Sequence, residues 1–221
     1  MRFIKLLGIA AVAAIAAMAF VGAGSASAMT LCKENASFCP EGQRYKKGDV
    51  IKFHTNKAVI KTSTMTLTCS ADLQAKLNEE TGEPQKTETI WSFGKCEGSC
   101  STLTAVGMPS TGLNYSAILW GFIWLSHQLE SGTPGVIASS CSFESKECAF
   151  QVVENEEKPA SAVFKLEEGS PSTVYTGGEK GSVVKFALVS GNSFLCGSTA
   201  TWEGTYAQTL PEKTGIWGAE P

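Results

Sequence analysis

The chain has 221 residues with 18 basic and 21 acidic side chains, a formal charge of −3 and 43% hydrophobic residues, enough for one large domain or two small ones. A nucleic-acid surface is built from clustered arginine and lysine, and beyond residue 28 the sole arginine is Arg44, which disfavours that class. No aspartate-rich calcium loop and no glycine-rich phosphate loop occurs, so nothing in the sequence points to a metal or nucleotide cofactor.

The amino terminus has the layout of a secretory signal peptide. Arg2 and Lys5 precede an apolar run from Leu6 to Val21, followed by the small-residue stretch "GAGSASA". Ala26-Ser27-Ala28 is an A-x-A site, which predicts cleavage between Ala28 and Met29; cleavage after Ala26 competes with it. An uncleaved anchor is the alternative, because the run is at the lower edge of what spans a bilayer. The residue directly after the cleavage site is Met29 and not cysteine, so lipoprotein attachment is not expected, and no later apolar run is long enough to span. The leader carries two basic residues and no acidic one, so its loss shifts the formal charge from −3 to −5. Residues 1–28 are thus read as a signal peptide and 29–221 as a single secreted β domain.

Past the leader, strand signals follow one another closely. "VIKFHT" (50–55) and "KAVIKT" (57–62) come first, then "TMTLTCS" (64–70), where Met65, Leu67 and Cys69 alternate with threonine and serine at a period of two. "ADLQAKLNEE" (71–80) has Leu73 and Leu77 four apart and is the one helix candidate, though it can equally continue the preceding strand. Further strands are expected at 88–94, 101–106, 115–126, 135–143, 147–153, 161–167, 181–190 and 196–206, punctuated by Gly, Pro and Ser turns. Many short strands at short spacing predict an all-β fold, an antiparallel two-sheet β-sandwich stapled by disulfides.

All eight cysteines, Cys32, Cys39, Cys69, Cys96, Cys100, Cys141, Cys148 and Cys196, lie beyond the leader, and an even count in an oxidising compartment reads as four disulfides. Cys96 and Cys100 enclose Glu-Gly-Ser, the length of a tight hairpin loop, which brings the two Cα atoms within disulfide range. Six-residue gaps make Cys32–Cys39 and Cys141–Cys148 local pairs too, leaving Cys69 for Cys196. Zinc needs two close cysteine pairs, and redox catalysis prefers C-x-x-C at a helix start; the spacing matches neither.

"AILWGFIWL" (117–125) is the most unusual stretch. Read as one strand, it places Ile118, Trp120, Phe122 and Trp124 on one face. A core strand covered on both sides is one reading; an exposed aromatic row that stacks sugar rings or a small apolar ligand is the other, with Trp120, Phe122 and Trp124 as the binding residues. Catalytic signals are thin. A Ser-His-Asp relay would need His54 or His127 with Asp49 or Asp72, and no nucleophile motif accompanies them. A pair among the nineteen glutamates could serve a glycoside hydrolase, but the count does not discriminate. Asn35-Ala36-Ser37 and Asn114-Tyr115-Ser116 match the glycosylation acceptor pattern. "LPEKTG" (210–215) has one residue more than a sortase signal and lacks the apolar tail and basic end that follow one.

"TLCKENASFCPEGQRYKKGDVIKF" (30–53), "VIKTSTMTLTCS" (59–70) and "CGSTATWEGTYAQTL" (196–210) together resemble a group of uncharacterised secreted proteins from actinobacteria. That resemblance implies export and carries no activity and no site residues. The resulting expectation is an exported, non-enzymatic envelope or extracellular protein that works through surface contacts, with a cell-wall or extracellular component as partner. The alternatives are a carbohydrate or small apolar ligand-binding module and a glutamate-dependent hydrolase.

Overall fold

The computed structural model describes residues 30–78, 87–105, 113–116, 122–125, 135–142, 147–152, 162–176 and 184–219. Within them the chain is nearly all-β and antiparallel throughout. Four long strands form one wall, side by side: β2 (Val50–Thr62) lies between β3 (Thr66–Leu77) and β13 (Thr199–Leu210), and β3 pairs on its other edge with β4 (Thr87–Gly98). The two strands expected at 50–55 and 57–62 are one strand. Asn56 and Lys57 both face outward, and the register to β3 slips between Thr55 and Ala58, so a bulge rather than a turn absorbs the change of phase.

The helix considered for 71–80 is instead the second half of β3. A spacing of four fits both a helical stripe and an alternating strand, so Leu73 and Leu77 do not decide between them. Ala71 and Ala75 complete the period of two, and all four are buried together with Leu67 and Cys69.

Opposite the long wall lie eight short strands in two sets of four. The first 199–202 segment of β13 pairs with β12 (Val184–Ser190), and the path continues through β9 (Glu147–Val152) and β8 (Val136–Cys141) to β5 (Cys100–Ala105). The later 204–207 segment of β13 pairs on the same edge with β11 (Thr173–Thr176), and that path continues through β10 (Ala162–Glu167) and β7 (Phe122–Leu125) to β6 (Leu113–Ser116). β4 runs almost directly into β5 through Ser99, whose N–H donates to the Thr66 carbonyl, and β6 lies beside β4. Each half of the long wall therefore meets four short strands around a nearly closed, barrel-like circuit. Twelve strands share one hydrogen-bonded network, so the architecture is less simply divided than two facing sheets. Register slips at Thr55/Ala58 in the β2–β3 ladder, Cys69/Ala71 in β3–β4 and Glu203/Ala207 in β13–β2 fall where the two halves meet, which lets the long wall bend; a further slip lies at Gln208/Leu210, near the end of β13.

A second, two-stranded sheet joins β1 (Thr30–Cys32) to β14 (Trp217–Ala219). Neither strand is expected from the sequence, because three residues are too few to show a period.

The curl of the sheet is visible in its core. β4 and β13 are separated by β3 and β2, about 14 Å if the wall were flat, yet the Trp91 ring on β4 meets the Trp202 ring on β13 at 4.8 Å, edge to face. Tyr206 joins Trp91 at 5.6 Å and Phe93 joins Trp202 at 5.5 Å. Phe53, Ile60, Leu67, Leu73, Phe150 and Phe186 fill the remaining space as one buried cluster spanning both halves. Eight strands give an interior just wide enough for side chains to fill.

The disulfides bond every cysteine in chain order: Cys32–Cys39, Cys69–Cys96, Cys100–Cys141 and Cys148–Cys196. Cys32–Cys39 agrees with the spacing; the other three expected pairs are corrected. Cys96 and Cys100 are not partners across a hairpin, because β4 and β5 belong to different ladders: Cys96 stands opposite Cys69 and Cys100 opposite Cys141. The glycine between them is needed for a different reason. Gly98 has φ +117°, and a Cβ there would overlap the Thr66 carbonyl oxygen. Cys148 faces Ala138 rather than Cys141, and Cys69 and Cys196 are held apart by the intervening β2. Cys196 sits not in β13 but in the single helical turn α1 (Ser193–Cys196) ahead of it.

Candidate functional site

The aromatic stretch does not run as one strand. Leu113↔Leu125 through Ser116↔Phe122 pair antiparallel, so the chain reverses direction between Ser116 and Phe122, and the single strand expected over 115–126 is replaced by β6 and β7. Phe122 and Trp124 lie in β7, opposite Lys165 and Val163 of β10; Trp120 lies outside the described residues. His127 does too, as do Ala28 and Met29 at the expected cleavage site. Asn114 is in β6, and Asn35 lies in the loop closed by Cys32–Cys39.

His54 is the ionisable group with the clearest geometry. It points outward from β2, directly opposite Asp72 on β3, with Nδ1 2.8 Å from Asp72 Oδ1 and Nε2 2.9 Å from Asn56 Oδ1. The bulge brings Asn56 within reach, two residues along the same strand. Each ring nitrogen thus faces an acceptor, and both contacts are satisfied at once only by the imidazolium, which donates from both nitrogens. The hydrogen bond to Asn56 and then that to Asp72 raise the His54 pKa above its ordinary value, against a small opposing effect of burial. A catalytic base needs a free lone pair, and this arrangement uses both nitrogens as donors. Asp49 is occupied elsewhere, accepting from the Lys46 N–H at 2.9 Å with Lys33 Nζ at 3.7 Å. The structure therefore pairs one histidine and one aspartate named as relay candidates through Nδ1, as in a relay, but places Asn56 rather than a nucleophile at Nε2.

A second polar cluster is buried. The Gln208 amide accepts from the Ser172 N–H at 3.1 Å and donates to the Pro211 and Thr214 carbonyls at 3.1 and 2.7 Å. Tyr45 Oη donates to the Gly215 carbonyl at 2.8 Å, and burial raises its phenol to about 12, against the lowering effect of Gln208. Pro211, Thr214 and Gly215 all belong to the "LPEKTG" segment, so its backbone is committed to the fold.

Large apolar side chains stand in water at two tips. Phe38 is next to Cys39 in the first disulfide loop, with the Arg44 guanidinium 5.8 Å above its ring. Phe194 in α1 is 84% exposed and Val189 at the end of β12 is 38% exposed. The sequence reading passed over this second tip, although "NSFLCG" (192–197) carries the signal of a capped single turn, Asn before and Gly after. Among the described residues, no group of three or more His, Cys, Asp and Glu side chains is arranged to hold a metal ion, and no helix is long and apolar enough to cross a membrane.

No family model, no curated protein and no solved structure matches this chain.

Proposed function

We propose that this chain is an exported, non-enzymatic protein that acts through surface contacts with an extracellular or cell-envelope component. The observation that carries the reading is the use of all eight cysteines as cross-links between neighbouring elements of one scaffold. Four disulfides are compatible with an oxidising, extracellular setting, and the leader-like residues 1–28 and the likeness to secreted actinobacterial proteins agree with it. In this reading the four long strands form one layer of a sandwich and the eight short strands the facing one. Such a scaffold holds surface side chains in fixed positions, which lowers the ordering cost of binding. Trp120, Phe122 and Trp124 are the alternative ligand-binding residues, and the contact of His54 Nε2 with Asn56 weighs against a Ser-His-Asp relay.

The test uses the oxidised protein secreted by its own host. Mass spectrometry should find Met29 at the mature amino terminus, and the protein should co-sediment with host cell-wall or polysaccharide fractions. A protein retained in the cytoplasm with reduced cysteines, or one that turns over envelope glycans, refutes the reading. A Trp120→Ala, Trp124→Ala double variant that loses co-sedimentation would move the contact to the aromatic stretch.

A further inference from the structure

From the tip of the fold that carries Phe194, we infer a binding site for a neutral, pyranose-based polysaccharide, with the Phe194 ring as its stacking platform. This rests on the surface-contact reading above and gives that surface a place and a partner chemistry.

The ring is exposed, and its mounting is fixed. Asn192 caps the turn, its side chain accepting from the Phe194 N–H at 2.9 Å, while the Leu195 and Cys196 N–H groups donate to the Asn192 carbonyl. The disulfide to Cys148 ties the far end of the turn to β9. Across the tip, Thr64 Oγ1 in the β2–β3 turn donates to the Leu195 carbonyl at 2.8 Å. Gly197, with φ +78°, comes so close to the Thr62 and Ser63 side chains that an added Cβ would lie 2.8 Å from Thr62 Cβ. A large apolar side chain held rigidly in water is a preorganised contact, since little conformational entropy remains to be lost on binding.

The chemistry around the ring selects the occupant. Residues 186–202 and 62–71, which build most of this end of the molecule, contain no charged side chain, in a chain with 39 charged residues counting both signs; Glu147, whose backbone packs against Gly191 and Cys196, adds an acidic side chain beside them and no basic one. The exposed side chains of the turn and of the neighbouring segments, Ser63, Thr64, Ser190, Asn192, Ser193 and Ser198, are neutral and hydrogen-bonding. An anionic membrane is recognised by lysine and arginine around the inserted apolar residue, and this stretch has none. A protein partner of ordinary affinity needs an apolar centre of several residues, and among the described residues at this tip only Val189, at 38%, joins Phe194 as an exposed large apolar side chain. A neutral sugar fits both features. The C–H groups on one face of a pyranose ring carry partial positive charge and stack on the electron-rich face of an aromatic ring. Its equatorial hydroxyls exchange hydrogen bonds with serine, threonine and asparagine, which can each donate and accept.

The experiment is native affinity electrophoresis of the oxidised mature protein in gels containing a soluble glucan, mannan or galactan. An anionic polysaccharide and phosphatidylglycerol vesicles form the comparison arms. At least one neutral polysaccharide should retard the protein. Phe194→Ala should bind it about tenfold more weakly, Phe194→Trp should keep or tighten binding, and Phe38→Ala should leave it unchanged. Near-UV circular dichroism of each variant checks that the fold is intact. Retardation that Phe194→Ala does not weaken overturns this assignment and leaves the surface-contact reading standing. Phe194-dependent binding to vesicles, or to the anionic polymer alone, overturns it in favour of another partner. Co-sedimentation with host envelope but no retardation by any neutral polysaccharide also refutes the inference alone, and the absence of both removes the two readings together.

Discussion

His54 has an acceptor at each ring nitrogen, and that arrangement favours its imidazolium form. Because the folded state favours the imidazolium, the His54 pKa is raised in the fold. The sign then follows: the contribution to stability is fully present below the ordinary histidine value of about 6.5 and is lost as pH rises through the raised folded value. An NMR titration of the ring should give a midpoint above 6.5, with Asn56→Ala and Asp72→Asn each lowering it. A midpoint at or below the ordinary value contradicts the geometry. Gly98 is the other residue whose identity is dictated by one contact. Gly98→Ala places a methyl group against the Thr66 carbonyl at a positive φ, with an expected cost of about 1–3 kcal/mol. Chemical denaturation measures it, and a neutral result would mean that the turn adopts another path. Both residues are visible in the sequence, but neither partner is: Asp72 is 18 positions from His54, and Thr66 is 32 from Gly98.

Among the elements, the disulfides differ most in what they tie. Cys32–Cys39 closes a loop of seven positions, whereas Cys148–Cys196 closes one of 48. In the chain-entropy model these constrain the unfolded chain by about 2 and about 4 kcal/mol. Replacing both cysteines of a pair with alanine should therefore lower the denaturation midpoint least for the first bond and most for the last. The reverse order would show that strain or residual structure outweighs loop entropy. Peptide mapping of the oxidised protein should recover Cys69–Cys96 and Cys100–Cys141, and a Cys96–Cys100 peptide would restore the local clasp that the spacing suggests. The element reading went astray where one spacing serves two structures. Four positions between leucines suit a helix or a strand, and three residues between cysteines suit a hairpin or a crossing from one ladder to another. At Asn56 the sequence does show a break, and the break is a bulge.

For the molecule as a whole, the aromatic cluster is the measure of closure. Trp91, Trp202 and Tyr206 meet because the long wall curls, and all three are buried. Trp202→Ala should cost about 3–5 kcal/mol, the range for emptying a large aromatic from a packed core. Near-UV circular dichroism should lose intensity at the same time, since Trp91, Phe93 and Phe186 each lose a ring contact. A loss below about 1 kcal/mol would mean that the long wall does not curl tightly onto itself there. Burial also raises the Tyr45 phenol to about 12 and drives Tyr206 higher still. Both stay protonated in the fold where an unfolded chain would ionise, so stability should fall as pH rises past about 10. A spectrophotometric alkaline titration would show these two tyrosines ionising together with unfolding.

What the sequence by itself determined is whatever lies in local chemistry. Alternation of apolar and polar residues marks strand character at 50–55, 57–62, 64–70 and 196–206 and gives the inward set Met65, Leu67 and Cys69, which are buried. The even cysteine count predicts complete pairing. Tertiary structure decided everything that depends on which strand lies beside which. A period of two says which way a side chain points and nothing about its neighbour, so the branching of the sheet at β13 has no sequence signature. The cysteine partners follow from that branching, and so does the meeting of His54 with Asp72. The same holds for the tip that presents Phe194: a short capped turn is written in "NSFLCG", but its exposure depends on the β2–β3 turn and β9, which hold it from either side.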